Sequence, residues 1–209
     1  MPLMEIRPLS AHARMGIWRM DETPDALLCA YPHLKAIPTT YRNVVRQREF
    51  LSVRALLCEM TGDSRLTITH EANGRPIVEG YSVSISHTRG YAVLVLADSD
   101  ERVGVDVEQR SARVERISDR FISPEESAPT LEEKLLLWSA KETVYKLCWT
   151  DVLGFFDMQA LAVGPSSLVV LNKKHGQELT VHYEFSDDYV LTWAIQSDSS
   201  PQPCTNPSF

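Results

Sequence analysis

Apolar and polar positions change period along this chain, and the changes mark its elements. Residues 44 to 60 (VVRQREFLSVRALLCEM) bring Phe50, Val53 and Leu57 onto one face with arginines elsewhere, which predicts a helix. Asn73-Gly74-Arg75-Pro76 is turn chemistry. The run YSVSISHTRGYAVLVLA predicts a hairpin: alternation from Tyr81 to Ser86, a turn near Arg89-Gly90, and a buried strand from Tyr91. Asp98 to Arg102 is a polar connector, and RVGVDVE at 102–108 predicts a short strand. A charged stretch follows, then FISPEES, where Pro124 breaks any helix. EEKLLLWSAKETVYKLCW at 132–149 predicts a strong helix. Strand-like runs near Leu168 to Leu171 and Tyr189 to Ile195 complete the pattern. The segment from Ser197, SDSSPQPCTNPSF, has the composition of a disordered tail.

A faint repeat runs through these elements. LSVRALL (51–57) resembles WSAKETV (138–144), and ISHTRGYAVLVLA (85–97) resembles FSDDYVLTWAI (185–195) with two residues missing at the turn. Each half would then carry a helix and a few strands.

Composition narrows the function. At 209 residues and 44% hydrophobic, the chain suits one large domain or two small packed halves with a sizeable core. The longest apolar run, Tyr91 to Ala97, has strand length, and MPLMEIRPLS lacks the layout of a signal peptide. A cytoplasmic chain without membrane attachment is expected. Cys29, Cys58, Cys148 and Cys204 are scattered with no CxxC pair, which argues against zinc and against a disulfide framework. His12, His33, His70, His175 and His182 show no ligand spacing and read as structural or solvated. A net charge of -7 disfavours nucleic acid as a partner. Positive charge is local, in Arg42, Arg46, Arg48 and Arg54 and again in Arg110, Arg113, Arg116 and Arg120. Such clusters meet an anionic ligand or partner, or are solvated faces.

Three groups of residues could carry chemistry. Asp106 and Glu108 are two apart on a strand and project from one face. Paired carboxylates repel unless a cation lies between them, and oxygen ligands suit magnesium; the alternative is a solvated strand end. Glu142 and Lys146 lie one helical turn apart, as do Trp138 and Glu142. A surface ion pair explains Glu142 and Lys146 alone, but a carboxylate beside a lysine on a rigid element also serves phosphoryl transfer. Ser86 and His87 end a strand without a GxSxG elbow, so Ser86 does not read as a hydrolase nucleophile.

Three blocks in order, VGVDVE (103–108), RFISPEE (120–126) and WSAKETVYK (138–146), resemble the GxDxE, FxxxE and WxxKExxxK blocks of the 4′-phosphopantetheinyl transferase superfamily. Upstream, GRP (74–76) and SISHT (84–88) resemble the family's GKP and NxSHS segments, with Arg75 in place of lysine and Ser84 in place of asparagine. The length and doubled layout resemble the monomeric, surfactin-synthetase-activating branch. The resemblance implies an α+β fold of two similar halves about a pseudo-twofold axis, each with a small, mainly antiparallel sheet and a long helix. The N-terminal half would span 1–100 and bind the phosphates of coenzyme A. The C-terminal half, 101–196, would hold the metal, and 197–209 would be the tail.

It further implies transfer of the phosphopantetheine arm of coenzyme A to a serine of an apo acyl or peptidyl carrier protein, releasing adenosine 3′,5′-bisphosphate. Asp106, Glu108 and Glu142 would hold Mg2+, or Mn2+. Lys146 would touch the leaving phosphate with support from Lys141. Arg75, His87, Arg46 and Ser86 would bind the nucleotide end. Glu126 would line the site and orient the serine, and Glu142 would accept its proton, directly or through water. The carrier would dock on Arg110 to Arg120, without nucleic acid or membrane. A metal-dependent nuclease and a carrier-binding module without turnover are the rival readings.

Overall fold

In the computed structural model, which describes residues 2–38 and 41–197, the alternating runs of the first hundred residues form one antiparallel sheet. Strands β1 (Leu3–Pro8) and β2 (Ala13–Arg19) are followed by a short helix, α1 (Pro24–Ala30), a 3-10 turn at Pro32–Ala36, and the long helix α2 (Val44–Thr61). Asn43 caps α2 by accepting from Val45 N at 2.8 Å, and Gly62, at φ 70°, ends it in the left-handed conformation. A two-residue ribbon, β3 (Thr69–His70) with β4 (Pro76–Ile77), brackets the Asn73-Gly74 turn, where Gly74 has φ 90°. The hairpin of β5 (Ser82–Thr88) and β6 (Tyr91–Ala97) completes a sheet of order β1-β2-β6-β5. Helix α2 buries Leu51, Val53, Leu56, Leu57 and Met60 against Trp18, Leu94 and Leu96 on one face of this sheet.

The second sheet begins with β7 (Glu101–Gln109). A 3-10 segment at Ala112–Arg120 and the helix α3 (Leu131–Leu147) come next, then β8 (Met158–Val163), β9 (Ser167–Asn172), β10 (Gln177–Phe185) and β11 (Tyr189–Ser197). Their spatial order is β7-β11-β10-β9-β8, all antiparallel. A capping box between Thr130 and Glu133 starts α3. Leu136, Leu137, Ala140, Val144 and Leu147 of α3 pack on Leu168, Val170, Val181, Val190 and Ala194. The fold is α+β.

A third core joins the sheets, with Met15, Ile17, Val93 and Val95 against Val103, Val105, Val107 and Leu191. Where the edges of β5 and β7 meet, side chains replace main-chain pairing. Ser84 Oγ accepts Val105 N–H at 3.0 Å, Ser86 Oγ accepts Val107 N–H at 3.2 Å, and Thr88 Oγ1 accepts Gln109 N–H at 3.1 Å. Three hydroxyls at strand spacing thus satisfy amides that the edge of β7 would otherwise leave orphaned.

Both expected long helices and both segments of the hairpin repeat fall where the periodicity puts them: the helices are α2 and α3, the hairpins β5-β6 and β10-β11. Ser197, expected to open the tail, ends β11 instead, paired with Glu101 and donating to its Oε1 at 2.8 Å. The rest of that expected tail, 198–209, lies outside the described residues, as does Cys204. Among the described residues no helix is long and apolar enough to cross a membrane.

Candidate active site

Alternation along β7 divides its side chains between two environments. Val103, Val105 and Val107 enter the core between the sheets, while Gly104, Asp106 and Glu108 face α3. Gly104 sets the distance between strand and helix, because a Cβ there would lie 2.3 Å from the Thr143 carbonyl oxygen. That close approach brings two rows of α3 onto β7: Trp138, Glu142 and Lys146 at i, i+4 spacing, and Ser139 with Thr143 beside them.

Asp106 is buried and held by three donors. Its Oδ1 accepts from Ser86 Oγ and Lys146 Nζ, each at 2.8 Å, and its Oδ2 accepts from Ser139 Oγ at 2.9 Å. Lys146 also donates to the Val105 carbonyl at 3.0 Å. Glu108 Oε1 accepts from Trp138 Nε1 at 2.8 Å, and that indole is fixed by stacking on Phe155 at 4.9 Å and by the edge of Phe121 at 5.2 Å. Burial, reinforced by Asp106, pushes the Glu108 carboxyl above its ordinary value. Glu142 is raised further, to about 7, by burial first and then by Asp106 and Glu108, with Lys146 opposing. The three acids therefore sense one another across the strand and helix that carry them.

The chemistry of this set fits a hard divalent cation: three carboxylates, all oxygen donors, with the Glu142 carboxyl raised by burial and then by its acidic neighbours. Their present geometry is not that of a closed cage. Among the described residues no three His, Cys, Asp or Glu side chains converge on one ion-sized point, and the ammonium of Lys146 takes the position of a cation at Asp106. The electrostatic coupling operates over longer distances than ligation, so both observations hold together.

The N-terminal half contributes a polar wall. Arg46, Glu49, Phe50, His70 and His87 line a cavity of about 390 Å³ between α2 and β5. Arg46 pairs with Glu49 at 2.7 Å, and His87 Nδ1 stands 3.9 Å from the same carboxylate. Burial lowers the His87 pKa; Glu49 opposes the shift, and Arg46 and Lys146 add to it, which places His87 within reach of cations from both halves. Arg75 lies with Lys146, Arg102 and Trp149 along a narrow crevice between the halves.

Other expected site residues are placed differently. Lys141 precedes Glu142 and so points about 100° away around the helix. Its ammonium donates to Glu126 Oε2 and the Phe121 carbonyl, each at 2.6 Å, and to the Phe155 carbonyl at 3.3 Å. Glu126 also accepts from Ser123 N at 2.9 Å and Ala160 N at 2.7 Å. Both side chains are 1% exposed; the pair ties the 121–126 loop and β8 to α3 and is not brought to the cleft. Ser86 spends its hydroxyl on Asp106 and Val107. Arg54 turns inward over the Phe50 ring, bonded to the Phe50 and Ile68 carbonyls, and burial lowers its pKa to about 10. Arg110 is occupied by Glu132 and the Ser186 carbonyl, whereas Arg113, Arg116 and Arg120 are exposed.

Two contacts at the acids were not foreseen. Trp138 and Ser139 belong to the WSAKETVYK block, which was the available signal for them; nothing in the sequence points to Thr192, which backs Ser139 from β11 at 2.9 Å.

The family model for the 4′-phosphopantetheinyl transferase superfamily matches residues 102–194. That stretch, somewhat under half of the chain, holds Asp106, Glu108, Glu142 and Lys146 together with Ser139 and Thr192. The match supports phosphopantetheinyl transfer in general as the activity of this region. Among curated proteins none matches this chain.

Proposed function

We propose that this chain moves the phosphopantetheine arm of coenzyme A onto a serine of an apo acyl or peptidyl carrier protein, giving holo-carrier and adenosine 3′,5′-bisphosphate. The observation that carries the reading is that Asp106 and Glu108 on β7 face Glu142 and Lys146 on α3, near enough to bias one another's charge, within the segment that matches the superfamily. The doubled arrangement of two sheets and two long helices favours the monomeric, surfactin-synthetase-activating type, with 1–100 as the nucleotide-binding half and 101–196 as the catalytic half.

Each side chain has a role that its surroundings permit. Arg46, Arg75 and His87 bind the phosphates at the nucleotide end. Lys146, already an ammonium beside a carboxylate, balances charge on the departing bisphosphate. Glu142, on the helix face turned to Asp106 and Glu108, takes the proton of the attacking serine, directly or through water. Magnesium or manganese, when held by Asp106, Glu108 and Glu142, would neutralise pyrophosphate charge. Lys141 and Glu126 shape the site from behind by fixing α3 against its neighbours. The exposed Arg113, Arg116 and Arg120 receive an acidic face of the carrier in salt-sensitive docking.

The test is intact mass spectrometry of several apo-carriers incubated with this protein, coenzyme A and Mg2+. A gain of one phosphopantetheine on at least one carrier is expected. No gain on any of them defeats the proposal.

A further inference from the structure

Behind Asp106 lies a row of hydroxyls with no solvent contact: Ser139 and Thr143 on α3 and Thr192 on β11, each 0% exposed. Their distances allow the protons to be placed. Asp106, as a carboxylate, can only accept, so the 2.9 Å bond to its Oδ2 takes the single proton of Ser139. Ser139 Oγ must then accept in its 2.9 Å contact with Thr192 Oγ1, which also reaches the Ser139 carbonyl at 2.9 Å. Thr192 has therefore committed its proton toward Ser139. The 2.6 Å contact between Thr143 Oγ1 and Thr192 Oγ1 consequently runs from Thr143, which also lies 3.2 Å from the Thr192 carbonyl. The Ser139 proton goes to Asp106, while the Thr192 proton lies between the Ser139 carbonyl and Oγ, and the Thr143 proton between the Thr192 carbonyl and Oγ1.

A carboxylate offers about four acceptor positions, two on each oxygen. Ser86 and Lys146 fill both on Oδ1, and Ser139 fills one on Oδ2. The position left open is on Oδ2, and Ser139 decides which of the two it is. We infer that Ser139 is a positioning residue for metal binding: held in place by Thr192 and Thr143, it fixes the rotation of the Asp106 carboxylate so that one lone pair of Oδ2 faces the Glu108–Glu142 side. The inference rests on the proposed transferase reading, in which Asp106 holds the divalent ion.

The experiment measures Mn2+ binding directly, by electron paramagnetic resonance with coenzyme A present, so that its readout does not depend on turnover. Ser139→Ala is expected to weaken Mn2+ binding by about tenfold or more, the usual scale for removing a hydrogen-bond partner of a metal ligand. Thr192→Val should weaken it less, in the same direction, and Ser139→Thr, which keeps the hydroxyl, should bind within about threefold of wild type. Val170→Ala, a cavity at a 0% exposed position on β9, controls for stability: it should lower Tm and leave the Mn2+ affinity in place. Equal Mn2+ affinity in wild type and folded Ser139→Ala overturns the inference while leaving the transferase reading intact. An equal loss in Val170→Ala overturns it too, by reducing the effect to general destabilisation. Wild-type protein that binds no Mn2+ removes both.

Discussion

Replacing Lys141 with methionine removes the ammonium from a pair whose side chains are each 1% exposed. Methionine is close to lysine in shape, so the change is chiefly electrostatic. Glu126 keeps its bonds from Ser123 N and Ala160 N, but its charge loses its counterion, and the Phe121 and Phe155 carbonyls lose their donor. Breaking a buried pair from one side costs about 3–5 kcal/mol. For a chain of this size Tm moves by about 2–4 °C per kcal/mol, so a fall of about 6–20 °C is expected. Lys141→Met/Glu126→Gln should recover much of that loss, because no unpaired buried charge remains. Thermal denaturation of the wild type, both single variants and the double variant gives the coupling. Calorimetric titration with coenzyme A, at a temperature where all four are folded, supplies the second axis. The stapling role predicts a large loss of Tm with coenzyme A affinity nearly intact. A Lys141→Met protein with wild-type Tm and strongly weakened coenzyme A binding would refute it and return Lys141 to the phosphate.

Further outcomes follow from the same geometry. A carboxyl raised from the ordinary 4.5 to about 7 favours the folded state fully below pH 4.5 and loses that advantage as pH rises through 7. In chelator, Glu142→Gln should therefore match the wild type below pH 5 and exceed it above pH 7, by on the order of 3 kcal/mol at about 1.4 per unit; parallel stability curves would contradict this. Gly104→Ala forces a methyl against the Thr143 carbonyl, so α3 must move off β7. About 1–3 kcal/mol of stability should be lost, and Mn2+ binding should weaken, as read by denaturation and titration. Ser84→Ala leaves the buried Val105 N–H without its acceptor, at about 1–3 kcal/mol by urea denaturation. Reversing charge at Arg113, Arg116 and Arg120 should slow carrier modification and flatten its salt dependence while leaving coenzyme A binding unchanged; equal rates across ionic strengths in the wild type would remove that docking surface.

The parts of this fold that could be read from the sequence are those with a single dominant period. Helices α2 and α3 each run for at least four turns with no proline or glycine inside them, and the β5-β6 hairpin carries its turn between an alternating run and a continuously buried one. Strand β1 alternates as well, but Pro2 precedes it, Pro8 ends it and its burial is only partial, so the pattern is weak. Strand β8 has a bulge between Ala160 and Ala162 that breaks its alternation. For the site, spacing placed Asp106, Glu108, Glu142 and Lys146 on the correct faces, because strand and helix periods fix direction. It could not place Lys141, since a motif says which residues are near one another along a helix and not which neighbour each will meet. Thr192 was invisible for a similar reason: its partners are 49 and 53 residues away, and only the pairing of β11 with β7 brings it to Asp106.

The joint between β5 and β7 also explains how the two halves avoid misalignment. If β5 slid by one residue, Val83 and Ile85 would stand where Ser84 and Ser86 now accept amide protons, and neither aliphatic chain can accept. A slide of two would keep hydroxyls opposite all three amides in one direction (Ser82, Ser84 and Ser86) and opposite two of them in the other (Ser86 and Thr88). The alternation of hydroxyl and aliphatic residues therefore bars odd slips of β5 against β7, and closing the joint also delivers a hydroxyl to the Asp106 carboxylate.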